Sequence, residues 1–473
     1  MRDLNQVVII GGGFSGLAFA AELLRRRERL EVTIVESGNR LGRGVAYGTP
    51  FASHLLNTGA NQMSLRADDP EHFVRWSRRR GFAAHGPEFL PRRHYGEYLE
   101  ASLRELANSP SPTRMTVHLQ TSALDVIPRG ERFEIRIEGG QTLTADAVVI
   151  ATGHPGPADP FRGDLPDDTW RYLRNPWLPN GFDAIRAADK VLLVGTGLTA
   201  VDVILALDQS GLRSQIHAVS RHGLLPRRHR ARRESLPSDL QAELFAGLAR
   251  NSLRAVTATV RRVAAKAEAR GTPGWQAVVD ALRPVTARIW NELCASDRGR
   301  FLRWLRPFWD VHRHRLPPVV AGRLAALQAD GRLQVRAARL RGAQDHGNAI
   351  AVDCETRGTA RRVRERYDWV INCTGPSFST EAVRPFERRL IERGLLLADP
   401  LALGYLTCDS GTALGTHGPV DRLYLLGPAC RANIWEHTAV PELRAQAGAI
   451  ADQLLGTHSH AVDAFSVSSQ CRL

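Results

Sequence analysis

Val7-Val8-Ile9-Ile10-Gly11-Gly12-Gly13-Phe14-Ser15-Gly16 is an apolar run that passes directly into a glycine fingerprint. Four consecutive apolar residues suit a strand buried on both faces of a parallel sheet. Gly11, Gly13 and Gly16 permit a tight turn and a close approach of backbone to a pyrophosphate. The helix that opens at Phe14 and Ser15 stabilises the phosphate charge with its N-terminus. Leu17, Ala20, Ala21 and Leu24 line one face of that helix, and the next strand, Val32–Val35, ends at Glu36, 20 residues beyond Gly16. An acid at this point accepts hydrogen bonds from both hydroxyls of an adenosine ribose.

The pattern occurs twice. Val191-Leu192-Leu193-Val194 leads into Gly195-Thr196-Gly197-Leu198-Thr199-Ala200. Two such fingerprints in one chain predict two dinucleotides, and the usual reason to hold two is to pass a hydride between them. The position matching Glu36 in the second copy is Ser220, followed by Arg221, with Arg227 and Arg228 close behind. No acid is present to repel a 2′-phosphate, and Arg221 can form charge-assisted bonds to one. The expectation is FAD on the first cradle and NADPH, or less selectively NADH, on the second.

Further strands complete two sheets. Ala147–Ala151 ends in Thr152-Gly153, and Trp369–Cys373 ends in Thr374-Gly375, each behind a short meander. Between about Leu236 and Leu327 the pattern is helical, too long for an ordinary crossover. The predicted fold is therefore α/β, with two Rossmann-like dinucleotide-binding domains and an inserted helical subdomain. Residues 1–158 and 366–456 are assigned to the FAD domain, 159–235 and 328–365 to the NAD(P) domain, 236–327 to the insertion and 457–473 to a flexible tail.

At 473 residues, 43% hydrophobic and 24% charged, the composition is that of a globular protein with room for several domains. The net charge is +14, yet Lys occurs only at 190 and 266, leaving 61 arginines. That imbalance reads as an arginine-for-lysine bias over the whole surface, and no nucleic-acid-binding motif accompanies it. No apolar run reaches the length of a membrane span, and the first strand begins too early for a signal peptide. A cytoplasmic location without membrane or nucleic-acid partners is expected. The six cysteines include no C-x-x-C pair, which argues against a dithiol reductase and a structural zinc site, so no metal is assigned.

Arg40-Leu41-Gly42-Arg43-Gly44-Val45-Ala46-Tyr47-Gly48-Thr49, His54-Leu55-Leu56-Asn57-Thr58, Gln62-Met63-Ser64, Trp309–Arg315 and Trp435–Leu443 extend the two fingerprints over most of the chain. Together they resemble the FAD/NAD(P)-binding family that contains FAD-dependent urate hydroxylases and aspartate N-monooxygenases. The resemblance implies a monooxygenase using NAD(P)H, molecular oxygen and a small-molecule substrate, with urate the first choice and aspartate or another amine the second. It places Gly42, Arg43, Gly44, Val45, Ala46 and Tyr47 along the FAD pyrophosphate and Asn57 and Met63 near the flavin ring. It aims the helix beginning near Pro441 at the flavin O2 edge. Many relatives carry Gly-Asp after the last strand. Gly427-Pro428 stands there instead, so the ribityl contact passes to Trp435 or Thr438.

A flavin that activates oxygen must be shielded from water. Trp275, Trp290, Phe301, Trp304, Phe308 and Trp309 in the insertion supply cover, or simply that subdomain's core. Trp309, Asp310, His312, Arg313 and Arg315 form a cluster suited to an anionic, nitrogen-rich substrate or to the carboxylates of aspartate. The alternative is an Asp310–Arg ion pair pinning the insertion to a nucleotide domain. His417 and His437 are candidates for proton movement, but no catalytic residue is assigned, because the cofactor makes the bonds. An NAD(P)H oxidase or reductase, and a flavin-binding redox sensor, are the rival functions.

Overall fold

The computed structural model describes residues 4–456 other than 27, 83–86, 179–180, 187–188, 212, 231–233, 249–251, 273, 360, 380–381, 409–410 and 437. The expected tail, 457–473, and His437 lie outside the described residues.

The chain begins with β1 (Gln6–Ile10), α1 (Phe14–Arg26) and β2 (Glu31–Val35). Helices α2 (Gly44–Tyr47), α3 (His72–Arg79) and α4 (Arg92–Asn108) precede β3 (Arg114–His118). A meander of β4 (Ala123–Arg129), β5 (Arg132–Ile137) and β6 (Thr142–Ala145) then leads to β7 (Ala147–Ile150). The second domain opens with β8 (Tyr172–Leu173), β9 (Lys190–Val194), α5 (Leu198–Gln209) and β10 (Gln215–Ser220).

The insertion holds α6 (Ser238–Leu248), α7 (Leu253–Ala269), α8 (Gly274–Leu282), α9 (Thr286–Glu292), α10 (Ala295–Arg300) and, after one π-helical turn, α11 (Arg306–Arg313). The second domain resumes with α12 (Pro318–Ala329), β11 (Leu333–Asp345), β12 (Ile350–Thr356), β13 (Arg362–Tyr367) and β14 (Trp369–Asn372). The first domain closes with α13 (Pro385–Glu392), β15 (Thr412–Gly415), β16 (Gly418–Leu425) and α14 (Val440–Leu455).

One sheet runs β15-β16-β7-β1-β2-β3, a second β13-β12-β11-β10-β9-β14-β8, and the meander β4-β5-β6 forms a small third. The pairs joining β16 to β3 in the first sheet, and β11 to β8 in the second, are parallel. Register brings Ile10, Val35 and Ile150 side by side, and Val194, Val219 and Asn372 likewise. Strand order reverses between β1 and β7 and again between β9 and β14. Crevices at such reversals, beyond the carboxyl ends of the strands, are where open α/β sheets take ligands. Burial on both faces explains the unbroken apolar strands. Val7 and Ile9 face α1 and α14, while Val8 and Ile10 face the meander.

Two assigned boundaries move. β14 was placed in the FAD domain by the 366 boundary, but it pairs with β9, from Trp369 opposite Val191 to Asn372 opposite Val194. α12 was counted in the insertion by the 327 boundary. Its Val320, Leu324 and Leu327 instead pack with Val191, Leu193 and Ile204, so it is the crossover helix of the second domain. The chain crosses between domains twice, and the crossings lie together: Pro157 bridges Pro376, and Ser377 N–H donates to Gly156 O at 3.1 Å.

Candidate functional site

The two cradles repeat one piece of geometry. Gly11 has φ 102°, and a Cβ there would lie 2.4 Å from the Ala151 carbonyl oxygen at the end of β7. Gly195 has φ 120°, and a Cβ there would lie 2.4 Å from the Cys373 carbonyl oxygen at the end of β14. Both turns therefore require glycine for conformation and for space. Gly13 and Gly197 face open space, nothing lying within 4 Å of a Cβ at either. Gly16 packs on the first turn, where a Cβ would meet the Gly11 oxygen at 1.9 Å. The backbone is thus shaped for phosphates at the starts of α1 and α5.

Glu36 stands beside the first cradle, its carboxylate accepting from Gly12 N–H and Gly38 N–H, each at 2.6 Å. Gly42 N–H donates to Gly12 O at 2.7 Å, which lays residues 42–47 against the cradle. Val45 and Ala46 are exposed there. Arg43 is occupied by a two-point ion pair with Glu100 at 2.7 and 3.1 Å. Phe14 and Tyr47 pack around Tyr95, with ring centroids 6.3 and 4.7 Å from it. Ser15 abuts the turn after β16, its Oγ 2.7 Å from where a Cβ of Gly427 (φ 93°) would sit. These residues fit an adenine dinucleotide on the first cradle.

Other expected contacts are more mixed. Gly153 and Gly375 have positive φ and open space. Thr152 is held by Arg384 and Glu387, and Thr374 donates to Ala158 O at 2.9 Å. Met63 is buried in the core under α1 rather than open to a ring. The Asn57 carbonyl accepts from His229 Nε2 at 2.9 Å. Thr438 N–H donates to Glu436 O, in the stretch between β16 and α14. His417 is exposed in the turn joining β15 and β16.

In the second cradle Leu198 and Thr199 open α5, and Thr196 Oγ1 donates to Leu224 O at 2.6 Å. Arg221 is exposed just past the end of β10. His222 beside it is bonded to Arg357, a residue from the turn after β12 that no motif marks, at 2.6 Å. Phe308 of α11 meets the His222 ring edge-on at 5.2 Å, which brings the insertion to this corner.

The Trp309–Arg315 group divides between two faces. Trp309, Asp310 and Arg313 face the first domain: Trp309 Nε1 donates to Glu436 at 3.0 Å, and Arg313 pairs with Glu436 at 3.1 Å. Asp310 pairs with Arg306 of its own helix at 3.3 Å, so the link pinning the insertion is made through Glu436 and not through Asp310. His312 and Arg315 turn the other way. His312 stacks on Trp275 at 5.3 Å, and Arg315 is 4% exposed, with Nη1 and Nη2 on Asp280, Nη2 also on Gln276 O, and Nε on His312 O. With its donors engaged, Arg315 is a strut of the insertion and not a substrate receptor; His312 is withdrawn with it.

Ligand atoms of Asp310, His314 and Glu436 lie within 4.8 Å of one another. Arg306 and Arg313 already compensate the two carboxylates, so the group is an ion-pair network. Burial alone would raise the Glu436 carboxyl, but His314, Arg313 and Trp309 outweigh it and hold it at about 2. The aromatic cover is likewise divided. Trp290 stacks on Trp435 at 4.7 Å and donates to Ala432 O at 2.9 Å, while Trp304 and Phe308 stay 57% and 46% exposed. Trp435 is thus part of the seam between insertion and first domain.

His154 and Arg92 carry no family signature, although His154 directly follows the Thr-Gly turn of β7. Its ring is accessible yet walled in. Burial, with Arg431 and Arg384 nearby, pushes it down to about 4. Arg92 and His54 join the domains: Arg92 pairs with Asp202 of α5 at 2.6 Å, and His54 Nε2 donates to Asp202 O at 2.8 Å. Since that nitrogen donates, Nδ1 accepts from Thr49 at 2.7 Å in the neutral ring, and burial lowers the His54 pKa to match.

Residues 8–155 match an FAD-NAD(P)-binding family model. An uncharacterized protein of Escherichia coli strain K12 is 23% identical over 47% of this chain and 46% of its own length, so the chain spans about half of that relative. Among solved structures, the ornithine N-hydroxylase of Kutzneria sp. 744, described with reduced FAD, NADP+ and L-ornithine, is 15% identical. It covers 96% of this chain and 99% of its own, with a TM-score of 0.67. The L-lysine 6-monooxygenase of Pseudomonas syringae is 16% identical over 97% of this chain and 100% of its own, with a TM-score of 0.65. At these identities the likeness is one of fold. The fold is the one shared by these two-dinucleotide-domain enzymes, and residues 8–155 are similar to the FAD-NAD(P)-binding family. No described helix is long and apolar enough to cross a membrane.

Proposed function

We propose that the chain is an FAD- and NADPH-dependent monooxygenase that N-hydroxylates a small amine. The observation that carries this reading is the pair of matching cradles on two sheets, bridged by an insertion that packs aromatic side chains against the turn after β16. The reaction balances as amine, O2, NADPH and a proton giving the hydroxylamine, water and NADP+. Bound flavin supplies hydride acceptance and oxygen activation.

The chain's own residues do the rest. Gly11, Gly13 and the start of α1 hold the pyrophosphate, and Glu36 turns from Gly12 and Gly38 to the ribose hydroxyls. Gly195, Gly197 and α5 hold the nicotinamide nucleotide, with Arg221 and the His222–Arg357 pair toward its 2′-phosphate. The N-terminus of α14 favours negative charge on the flavin. Trp290, Trp435 and Phe301 keep water from the reacting face. The amine reading is preferred to urate, because both hydroxylases similar in fold act on amines and urate rests on the sequence resemblance alone.

The test is to reconstitute the protein with FAD and follow NADPH oxidation, oxygen uptake and hydroxylamine formation with a panel of amines, amino acids and urate. Hydroxylamine formed in step with NADPH consumed supports the reading. Hydrogen peroxide as the sole product with every compound makes the protein an oxidase, and a flavin that neither nicotinamide reduces makes it a sensor.

A further inference from the structure

Buried arginines of the insertion and its seam are paired: Arg313 with Glu436, Arg315 with Asp280, Arg283 with Glu442. Arg431 is different. It follows the 3-10 turn Pro428–Cys430, and its guanidinium lies 5.0 Å over the Trp435 ring without a hydrogen bond or ion pair to any described residue. Burial and neighbouring Arg306 weaken its hold on the proton, to about 10, in spite of Glu436 and Asp310. Its side chain is only partly buried, so the guanidinium is open to a partner from solution, while Glu436 and Asp310 act on its charge without bonding to it.

A second, independent observation lies beside it. Trp435 is 4% exposed, and its indole N–H has no acceptor. A half-buried guanidinium with no described protein partner and a buried indole N–H with no acceptor therefore lie together at the seam of insertion and first domain. Arg306 of α11 approaches the same ring at 5.9 Å, and His154 lies within electrostatic reach on the first-domain side. The dinucleotide phosphates belong elsewhere, at the starts of α1 and α5.

We infer that Arg431 and the Trp435 indole N–H form the receptor for a carboxylate on the substrate, so that the amine acted on is an amino acid rather than a simple alkylamine. This rests on the monooxygenase reading for the word substrate, but the receptor itself is a binding site and is tested as one. A guanidinium pairs with a carboxylate at two points, and the indole N–H adds a third donor. Arg431 is in this sense a specificity-determining residue.

The probes are L-lysine with cadaverine and L-ornithine with putrescine, each pair differing only by the carboxylate, together with L-aspartate. They are titrated into the FAD-loaded protein without NADPH, read by tryptophan fluorescence and the flavin difference spectrum. At least one amino acid should bind 10-fold or more tighter than a carboxylate-free diamine. Arg431→Ala should weaken that binding by about 10- to 100-fold, and Arg431→Lys should restore part of it, with FAD content and the rate of reduction by NADPH unchanged. Three results overturn the inference: no amino acid perturbing either signal at 20 mM, Arg431→Ala binding as the parent does, or Arg431→Ala losing its flavin. Failure of the monooxygenase reading shows separately, as absence of hydroxylamine from a protein that still binds the carboxylate.

Discussion

Trp309 of the insertion donates its indole N–H to Glu436 of the first domain at 3.0 Å, across the seam that separates the two. Glu436 also takes Arg313 at 3.1 Å and His314 at 3.6 Å, and it adopts φ 71°, a left-handed conformation unusual for glutamate. The surrounding contacts hold it there, as expected of strain kept at a site. Arg283, paired with Glu442 at 2.7 and 3.1 Å, ties the insertion to the first turn of α14 as well. The insertion is thus latched to the C-terminal segment of the first domain at two acids.

Glu436→Gln tests the latch through pH. The folded carboxyl, held at about 2, lies below its ordinary value of 4.5, so its stabilisation is fully present above pH 4.5 and is lost as pH falls toward 2. The parent should exceed Glu436→Gln by about 3 kcal/mol at pH 7. Urea unfolding at pH 7, 5 and 3 should show that margin constant between 7 and 5 and shrinking at 3. A margin independent of pH would mean that the charge of Glu436 contributes nothing.

The first cradle separates two kinds of glycine. Gly11→Ala must place a Cβ 2.4 Å from a backbone oxygen at φ 102°, so it should lose FAD and stability together. Gly13→Ala meets no protein atom within 4 Å, so thermal unfolding of the apoprotein should stay within about 1 kcal/mol of the parent, in line with an unobstructed surface change. FAD affinity should nevertheless fall at least 10-fold, measured by flavin fluorescence on dilution. Unimpaired flavin binding by Gly13→Ala would remove the phosphate from that turn.

Both cradles were legible because strand, glycines, helix and ribose position are local and mutually consistent. The ownership of β14 was not. Trp369–Asn372 and Ala147–Ile150 are both short apolar runs before a Thr-Gly turn, and nothing in either says which sheet it joins. Pairing is decided by a partner nearly 180 residues away. α12 was misread for a related reason: its apolar spacing continues that of the insertion, and only contact with Val191 and Leu193 assigns it to the second sheet. Within the Trp309–Arg315 run, residue types gave the chemistry, but the end of α11 and the residues just past it send Trp309 and Arg313 to one side and His312 and Arg315 to the other. Arg431 was invisible among 61 arginines, since what distinguishes it is the lack of a partner.

The proposed function places the choice of nucleotide at the corner beyond β10. Ser220 offers no carboxylate, Arg221 is exposed, and His222 is bonded to Arg357 at 2.6 Å. Arg221→Ala should raise KM for NADPH about 10-fold, a charge-assisted bond being worth about 1.5 kcal/mol or more, and leave KM for NADH nearly unchanged. Arg357→Ala should act in the same direction, because it frees His222 and removes a second cation. Flavin reduction under anaerobic stopped flow gives both constants directly. Equal effects on the two nucleotides would place these arginines away from the 2′-phosphate.

Asp202 is one of the residues that tie the two domains together. It sits on α5, four residues beyond Leu198, and is 5% exposed, with Arg92 at 2.6 Å and its carbonyl bound by His54. The helix that opens at the second cradle is therefore fixed to the first domain at its own first turns. Asp202→Ala leaves a partly buried Arg92 facing a missing charge, a change that should cost less than the ~3–5 kcal/mol of a broken fully buried pair. Asp202→Asn keeps a shorter-range hydrogen bond and should cost less. If the joint orients one nucleotide toward the other, Asp202→Asn should slow hydride transfer from saturating NADPH several-fold while leaving FAD content and KM for NADPH as they were. Stability lost without any change in the reduction rate would make Asp202 a structural tie alone.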